Sequence, residues 1–324
     1  MSTLLDSIAV RGLKLRNRIV MPPMQTGRAT TNGAVTDRLI GFYVRRSAYL
    51  GLVIVEHCYI SSRGRLSYKQ LGIHEDELIE GLERLASNIH QQGTPTVVQI
   101  SHAGGVAIRE VIRDQPAGPS KTKVSRQLTR DEIEALVEEF ARGAERAVKS
   151  GFDGVELHGA HGFLLNQFFS PLFNRRRDVY GGSLENRMRF PLTVVEAIRD
   201  CIKNRLLLYR LGADDLDPRG TRIEDAVEFA RRLEEYGVDV IDVSGGMCGS
   251  EPKQLRNVKG YFIPQAERIK EEVTVPVIGV GGISEAEYAD NLVREGKVDL
   301  VAVGRALWRD PNWAQKAVEV LKIK

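Results

Sequence analysis

The feature that most constrains this chain is an alternation of short β-branched runs with amphipathic helical stretches. In the stretch 131–151, for example, the apolar side chains recur at helical spacing and share one face. Strands separated by helices are expected to pair in parallel, because each crossover needs a long connection. The eight runs are RIVM (18–21), LVIVEH (52–57), PTVVQI (95–100), GVELH (154–158), LLLYR (206–210), VDVIDVS (238–244), VPVIGV (275–280) and LVAVG (300–304).

Two α/β architectures accommodate these strands. Runs this apolar suit strands that are covered on both faces, as in a doubly wound sheet or a closed (β/α)8 TIM barrel. The count of eight strands, and the lack of a glycine-rich dinucleotide fingerprint after the first one, favour the TIM barrel. No linker or shift in composition divides the chain, so residues 1–324 are predicted to form a single domain.

Composition excludes several classes of protein. The chain is 42% hydrophobic and 27% charged, which allows a sizeable core. A net charge of +3, spread along the chain, argues against a nucleic-acid or membrane-surface partner. Cys58, Cys201 and Cys248 lack CxxC spacing, which indicates reduced thiols. With no apolar signal core in MSTLLDSIAVRGLKLRNR and no bilayer-spanning run, we expect a cytoplasmic protein.

The predicted strand ends carry most of the chain's reactive side chains. In TIM barrels the chemistry lies at the C-terminal ends of the strands. Four of the six histidines fall there, and this convergence predicts a functional site rather than four unrelated core residues. The residues at these ends are Pro23, Met24, Gln25, His57, Cys58, Gln99, His102, His158, His161, Arg210, Ser244, Gly281, Gly282, Gly304 and Arg305.

The last two strands end in VIGVGGIS and LVAVGRAL, a pattern typical of a phosphate site. Glycines let backbone N–H groups approach a ligand, and the following helix start adds a positive dipole end. Barrels often bind phosphate after strands seven and eight. Gly281, Gly282 and Gly304 would form the cradle, and Arg305 would add a charge-assisted contact.

Two further polar residues have open interpretations. Arg210 ends an apolar strand and needs an anionic or electron-rich partner, which is either a ligand or a structural ion pair with Asp214 or Asp215. Gln99 offers a donor and an acceptor, which suits the edge of a heterocycle. No HExxH motif or carboxylate spacing supports a metal, and no strand-end lysine supports a Schiff base.

One long segment resembles a known family. HGAHGFLLNQFFSPLFNRRRDVYGGSLENRMRF (158–190) closely resembles the old yellow enzyme family of FMN-dependent ene-reductases. NRIVMPPM (17–24), VVQISHAGG (97–105), GVGGI and VGRAL extend the likeness over nearly the whole chain. The branch is similar to that of the bacterial ene-reductases and the barrel half of dienoyl-CoA reductases, in a single-domain form.

The resemblance implies roles for the strand-end residues. Pro23, Met24 and Gln25 would line FMN, Gln99 and Arg210 would contact its ring, and Ser244 would follow the ribityl chain. His158 and His161 would donate hydrogen bonds to an oxygen of the acceptor, with at least one imidazole neutral. NADH or NADPH would give hydride to flavin N5, which would pass it to an electron-poor small molecule such as an enone or enoyl ester. The resemblance leaves open whether the protein forms a homo-oligomer.

Two positions depart from the family pattern. Phe163 stands where the family has a tyrosine that protonates the substrate α-carbon, and His57 stands where a small residue is usual. Either another donor serves, with His57, Cys58 and Tyr59 as candidates, or the acceptor is a nitro or quinone compound that takes protons from solvent. A third alternative is a barrel that binds FMN but has lost catalytic activity, and a fourth is a non-redox barrel enzyme that acts on phosphorylated substrates.

Overall fold

The structure is a computed structural model that describes residues 2–323. The strands are β1 (Ile8–Val10), β2 (Leu13–Leu15), β3 (Ile19–Met21), β4 (Leu52–Tyr59), β5 (Thr96–Ser101), β6 (Ala117–Gly118), β7 (Arg126–Gln127), β8 (Gly154–Gly159), β9 (Leu206–Gly212), β10 (Val240–Ser244), β11 (Val277–Gly279) and β12 (Leu300–Ala302). Eight of them are parallel and close into a barrel in the order β10-β11-β12-β3-β4-β5-β8-β9.

Helices follow the barrel strands and cover the outside of the barrel. The longest is α4, which begins with a capping box between Thr129 and Glu132 and turns an apolar face inward. The helices are α1 (Asp37–Ser47), α2 (Ile79–His90), α3 (Arg109–Ile112), α4 (Arg130–Lys149), α5 (Leu164–Phe169), α6 (Leu184–Ile202), α7 (Ile223–Glu235), α8 (Ile263–Lys270), α9 (Ala286–Arg294), α10 (Arg305–Arg309) and α11 (Trp313–Lys322).

The predicted (β/α)8 TIM barrel is confirmed, and each of the eight predicted runs overlaps a barrel strand. Strands β4, β5, β8 and β9 extend one or two residues beyond the predicted ends, so that His57 and Arg210 lie inside strands rather than at their last positions. The predicted helix at 131–151 is α4.

The barrel interior is apolar at one end and polar at the other. Alternate strand residues, including Leu52, Ile54, Val97, Leu208 and Val240, pack in one interior cluster. The β1–β2 hairpin contributes Val10 and Leu15 to this cluster, which closes the N-terminal end of the barrel. Further along the strands the same alternation turns polar side chains inward.

No helix within residues 2–323 is long and apolar enough to cross a membrane.

Candidate active site

A cavity of about 1030 Å³ opens at the C-terminal end of the barrel. Most of the residues predicted from the strand ends lie on its wall, as expected when parallel strands end at one edge. The structure brings together Pro23, Met24, Gln25, His57, His158, His161, Arg210, Ser244, Gly281, Gly282, Gly304 and Arg305.

His158 lies near the end of β8, and His161 lies in the turn that follows this strand. The ring centroids of His158 and His161 are 5.2 Å apart with nearly perpendicular planes. His161 adopts a left-handed backbone with φ of 56°, and its N–H donates to the Gly245 carbonyl at 3.1 Å. Its Nε2 lies 2.7 Å from Ser244 Oγ. A left-handed non-glycine residue is costly, and here the tight turn keeps the imidazole beside its partner.

Both imidazoles are held in the neutral form. Burial lowers the pKa of His158 well below its usual value, and the charges of His161, His57 and Arg210 lower it further. The pKa of His161 is lowered in the same way, first by burial and then by Arg210 and His57. Neutral imidazoles can donate one N–H each without bringing a charge into the cavity.

A β-bulge places His57 in the cavity. Val55 pairs with Val98 and Cys58 pairs with Ile100, so β4 holds one residue more than β5 across this step. Ile54 faces the barrel interior, and strict alternation would turn His57 outward. The extra residue reverses the alternation, and bulges commonly redirect side chains in this way beside active sites.

A polar layer lies beneath the cavity. Gln99 Nε2 donates to Glu156 Oε1 at 2.7 Å, and Arg210 Nε lies 3.3 Å from Asp242 Oδ2 without forming a hydrogen bond. Burial, together with the charge of Asp242, raises the pKa of Glu156 well above its usual value. Burial also raises the pKa of Asp242, while the Arg210 charge opposes this shift. Both carboxyl groups therefore have raised pKa values, and the charge of Arg210 favours the ionised form of Asp242.

The partner of Arg210 differs from the alternative ion pair considered from sequence. Asp242, on the neighbouring strand β10, faces Arg210 because the two residues are in register. Asp215 instead accepts hydrogen bonds from Ser170 and from the backbone of Thr221. An ion pair of Arg210 with Asp214 or Asp215 is therefore wrong.

Gln99 and Tyr59 do not lie on the cavity wall. Gln99 is buried, with Oε1 unpartnered. Tyr59 donates its hydroxyl proton to the Asn32 carbonyl at 3.0 Å, and its ring packs at a tilt against His74. Burial raises the pKa of Tyr59 to about 12. Tyr59 as a proton donor to the cavity is therefore wrong, because its hydroxyl is committed elsewhere.

Two other strand-end residues, Cys58 and His102, also lie outside the cavity. Cys58 packs in the core around the barrel, and burial raises the pKa of its thiol well above its usual value. His102 accepts a hydrogen bond from the Gly104 N–H at Nδ1, 3.0 Å away. The proposed alternative donor Cys58 is therefore wrong as well.

The glycine loops after β11 and β12 form a narrow cradle. Gly281 has φ of 121°, and a Cβ there would lie 2.8 Å from the Tyr261 ring. A Cβ on Gly282 would lie 2.8 Å from the Val258 carbonyl. Arg305 forms an ion pair with Glu251, and its Nη2 lies 3.3 Å from Tyr261 Oη. The backbone of the glycine loops and the Arg305 cation therefore lie together at the place where the phosphate site was predicted.

The outer wall of the cavity was not predicted from the sequence. The segment between β10 and α8 contributes much of it, and a long polar loop after a barrel strand is a usable signal that was overlooked. The unpredicted wall residues include Leu66, Ser250, Glu251, Arg256, Asn257, Lys259, Tyr261, Ser284, Arg309 and Trp313.

Within residues 2–323, no three His, Cys, Asp or Glu side chains are grouped so that they could hold a metal ion.

Comparison with known sequences decides the family. The profile of the NADH:flavin oxidoreductase / NADH oxidase family matches residues 3–323. The chain belongs to this family. The family includes the old yellow enzymes, so this match confirms the resemblance noted in residues 158–190. The chain is accordingly an FMN-dependent oxidoreductase that takes hydride from a nicotinamide.

Two related sequences illustrate the range of the family. The chain is 41% identical over 323 residues to an NADH oxidase of Thermoanaerobacter brockii, covering 96% of this chain but 50% of that protein. It is 38% identical over 330 residues to an NADPH dehydrogenase of Geobacillus sp. (strain WCH70), covering 99% of this chain and 95% of the relative. This chain thus spans half the length of the first relative and nearly all of the second.

Solved structures of family members share the fold closely. A 2-naphthoyl-CoA reductase complexed with 2-naphthoyl-CoA superposes with a TM-score of 0.93 at 25% identity, covering 98% of this chain and 52% of that one. Morphinone reductase in complex with tetrahydroNAD superposes with a TM-score of 0.86 at 27% identity, covering 99% of this chain and 91% of that one. An old yellow enzyme homologue from Zymomonas mobilis superposes with a TM-score of 0.87 at 26% identity, covering 98% of this chain and 93% of that one.

Proposed function

We propose that this protein reduces electron-poor small molecules, foremost alkenes activated by a carbonyl group, such as an enone or enoyl ester. The observation that carries the proposal is the neutral pair His158 and His161 on the wall of a cavity that also holds Arg210 and the glycine cradle. We also propose that residues 1–324 act as one FMN-binding domain. The free thiols Cys58, Cys201 and Cys248 are consistent with work in the cytoplasm, a reducing compartment.

The residues present fit an FMN group. Gln99 Oε1 and Arg210 Nε are buried without hydrogen-bond partners, and burial of such atoms is costly unless a ligand satisfies them. The cradle of Gly281, Gly282 and Gly304, with Arg305 beside it, suits a phosphate. Pro23, Met24, Gln25 and Ser244 would line the path between the two ends. When bound, FMN takes hydride from NADH or NADPH and gives it to the acceptor.

The histidine pair would act on the acceptor oxygen. His161 fixes one ring nitrogen on Ser244, so its Nδ1 edge is left for the cavity. His158 Nδ1 is buried and unpartnered, which leaves its Nε2 edge for the cavity. Two N–H groups aimed at one oxygen stabilise negative charge that develops on it during reduction, and this favours the transition state over the bound ground state.

A second acceptor class has its own supporting observation. Phe163 lies on the cavity wall where the family tyrosine is expected, and it brings no hydroxyl. The one tyrosine on the wall, among the residues described, is Tyr261, whose hydroxyl donates to the Ser250 carbonyl at 2.8 Å. Nitro compounds and quinones take their protons from solvent, so they would need no such acid.

An anaerobic stopped-flow experiment separates these functions. The yellow, FMN-loaded protein is reduced with NADH or NADPH and mixed with cyclohexenone, a nitroaromatic compound or a quinone, and flavin reoxidation is followed. Fast reoxidation by cyclohexenone supports alkene reduction. Reoxidation by the nitro compound or quinone alone supports the second class. A flavin that neither nicotinamide reduces would indicate a retired FMN-binding barrel and would contradict both proposals.

A further inference from the structure

A buried hydrogen-bond chain reaches His57 through Gln70, which does not line the cavity. The Leu66 N–H donates to Gln70 Oε1 at 2.7 Å, and Gln70 Nε2 lies 2.9 Å from His57 Nδ1. Gln70 Nε2 is also 3.4 Å from the His57 carbonyl. Gln70 is fully buried and His57 nearly so. Water therefore has no access to the Gln70 amide to substitute for these contacts.

The orientation of the Gln70 amide follows from its neighbours. If the amide were flipped, Nε2 would face the Leu66 N–H, and two donors would meet. Its oxygen would then face the His57 carbonyl, and two acceptors would meet. Two buried mismatches of this kind are strongly unfavourable, because each leaves a desolvated polar group without a partner. Nε2 is therefore the donor toward His57 Nδ1.

This orientation determines the tautomer of His57. A ring nitrogen that accepts a hydrogen bond carries no proton, so a neutral His57 holds its proton on Nε2. The hydroxyl of Ser101, 3.4 Å from Nδ1, is also able to donate there. Burial lowers the pKa of His57 to about 4, with a further contribution from the charge of Arg210, so the ring is neutral at physiological pH.

The protonated edge of His57 faces the cavity. His57 lies on the cavity wall, and its ring centroid is 5.9 Å from that of His158 and 5.1 Å from that of Phe163. Nδ1 is engaged by Gln70, whereas Nε2 has no hydrogen-bond partner among residues 2–323 and is not enclosed by protein. The open N–H therefore stands beside the pair assigned to the acceptor oxygen.

We propose that Gln70 is a positioning residue that fixes His57 in the Nε2–H tautomer, which makes His57 a third imidazole donor for an oxygen-bearing acceptor. The acceptor class rests on the proposed function, whereas the tautomer does not. A neutral His57 donates a hydrogen bond but keeps its proton, because loss of that proton would leave an imidazolate. The site is thereby built to bind carbonyl or nitro oxygens rather than to supply the missing acid.

The tautomer is tested by NMR of the oxidised, FMN-loaded protein labelled with 15N-histidine, with a His57→Gln variant to assign the signal. The wild type is expected to show His57 with Nε2 protonated and Nδ1 bare. In Gln70→Glu at pH 9, where the introduced carboxyl is ionised, the proton is expected to move to Nδ1. Gln91→Glu, the same change at an exposed position, should leave the His57 signals unchanged.

Gln70→Met provides a second variant in case the carboxylate disturbs folding. It removes the donor to Nδ1, and the Nδ1 signal is expected to shift to that of a nitrogen without a hydrogen bond. A wild-type His57 protonated on Nδ1, or a tautomer that both Gln70 variants leave unchanged with the Nδ1 shift unaltered, would overturn the proposal.

A separate measurement of ligand binding tests whether His57 donates a hydrogen bond to the acceptor. The oxidised protein has no hydride to give to cyclohexenone, so a dissociation constant can be measured without reduction of the ligand. Loss of one neutral donor should weaken binding about fivefold in Gln70→Glu at pH 9, with Gln91→Glu unchanged. Equal affinities would overturn the role of His57 as a donor. Absence of cyclohexenone binding in the wild type would contradict the proposed function but leave the tautomer result intact.

Discussion

Phe163 stacks on His158 with ring centroids 4.1 Å apart and planes 30° from parallel. The same phenyl ring meets His57 edge-on at 5.1 Å. The phenyl ring that stands in place of the family tyrosine thus packs against His158, a proposed donor, and also contacts the imidazole of His57. Because Phe163 also lines the cavity, we expect a hydroxyl added to this ring to be accessible to an acceptor bound there.

Phe163→Tyr is therefore expected to accelerate alkene reduction. General acids contribute roughly 10²–10⁴-fold, and an imperfectly placed one should still raise cyclohexenone-dependent reoxidation by about tenfold. The measurement is anaerobic reoxidation of the reduced protein. Reduction by NADH or NADPH is the internal control and should change little, since that step needs no acid. An unchanged reoxidation rate would show that the missing hydroxyl does not limit the reaction.

His161 should tolerate asparagine better than alanine. Its left-handed backbone suits asparagine, which also keeps an N–H donor, whereas alanine loses the donor and is strained there. Removal of one oxyanion donor commonly costs about 10²–10³-fold in rate. We expect His161→Ala to slow acceptor reduction by about 10²-fold and His161→Asn to stay within about tenfold of the wild type. Similar rates for the two variants would contradict a donor role.

The histidine pair should not titrate during reduction near neutral pH. The pKa values of His158 and His161 both lie well below the usual 6.5, so both rings remain neutral from that pH upward. The acceptor-reduction rate is expected to be independent of pH between about 6.5 and 8.5 with respect to these groups. Stopped-flow measurements across this range check the prediction, and a sigmoidal change that disappears in His158→Gln would refute it.

Arg305 and Glu251 provide a matched pair for FMN binding. Their ion pair, which is partly exposed, lies beside the glycine cradle. Arg305→Gln removes the cation proposed for the phosphate and should weaken FMN binding about tenfold. Glu251→Gln frees Arg305 and should leave FMN affinity equal or higher. Titration of the apoprotein, followed by quenching of FMN fluorescence, measures both. Equal losses in the two variants would place the phosphate elsewhere.

Glu56 should make stability depend on pH. It is buried and accepts hydrogen bonds from the N–H and hydroxyl of Thr26, both at 2.6 Å, yet burial raises its pKa from 4.5 to about 7. The folded state therefore prefers the protonated form. The stability that this preference contributes is complete below pH 4.5 and is lost as the pH rises to about 7, a loss on the order of 3 kcal/mol.

Glu56→Gln should remove that dependence. A glutamine can accept from the Thr26 N–H through Oε1 and donate to the Thr26 hydroxyl through Nε2, so the local bonds survive. Urea unfolding at pH 5 and pH 8 should show the variant gaining about 2–3 kcal/mol relative to the wild type between the two. A constant difference at both pH values would show that the Glu56 carboxyl is not perturbed by folding.

Much of the site follows from strand periodicity. Gln99, Glu156, Arg210 and Asp242 face inward because they continue the alternation set by the apolar barrel residues below them. Parallel strands end at one edge, so side chains distant in sequence meet there. The phosphate loops were predicted for the same reason, from glycines at two neighbouring strand ends.

The sequence by itself determined the eight-stranded barrel, the cavity at its C-terminal end and most of the residues around that cavity, because each depends on a local period repeated along the chain. Only the tertiary structure decided that a one-residue bulge turns His57 inward, that Tyr59 bonds Asn32 and that Asp242 faces Arg210. These outcomes depend on register and on contacts between distant segments. A single extra residue reverses the facing of every side chain after it, and no local pattern records where that residue is absorbed.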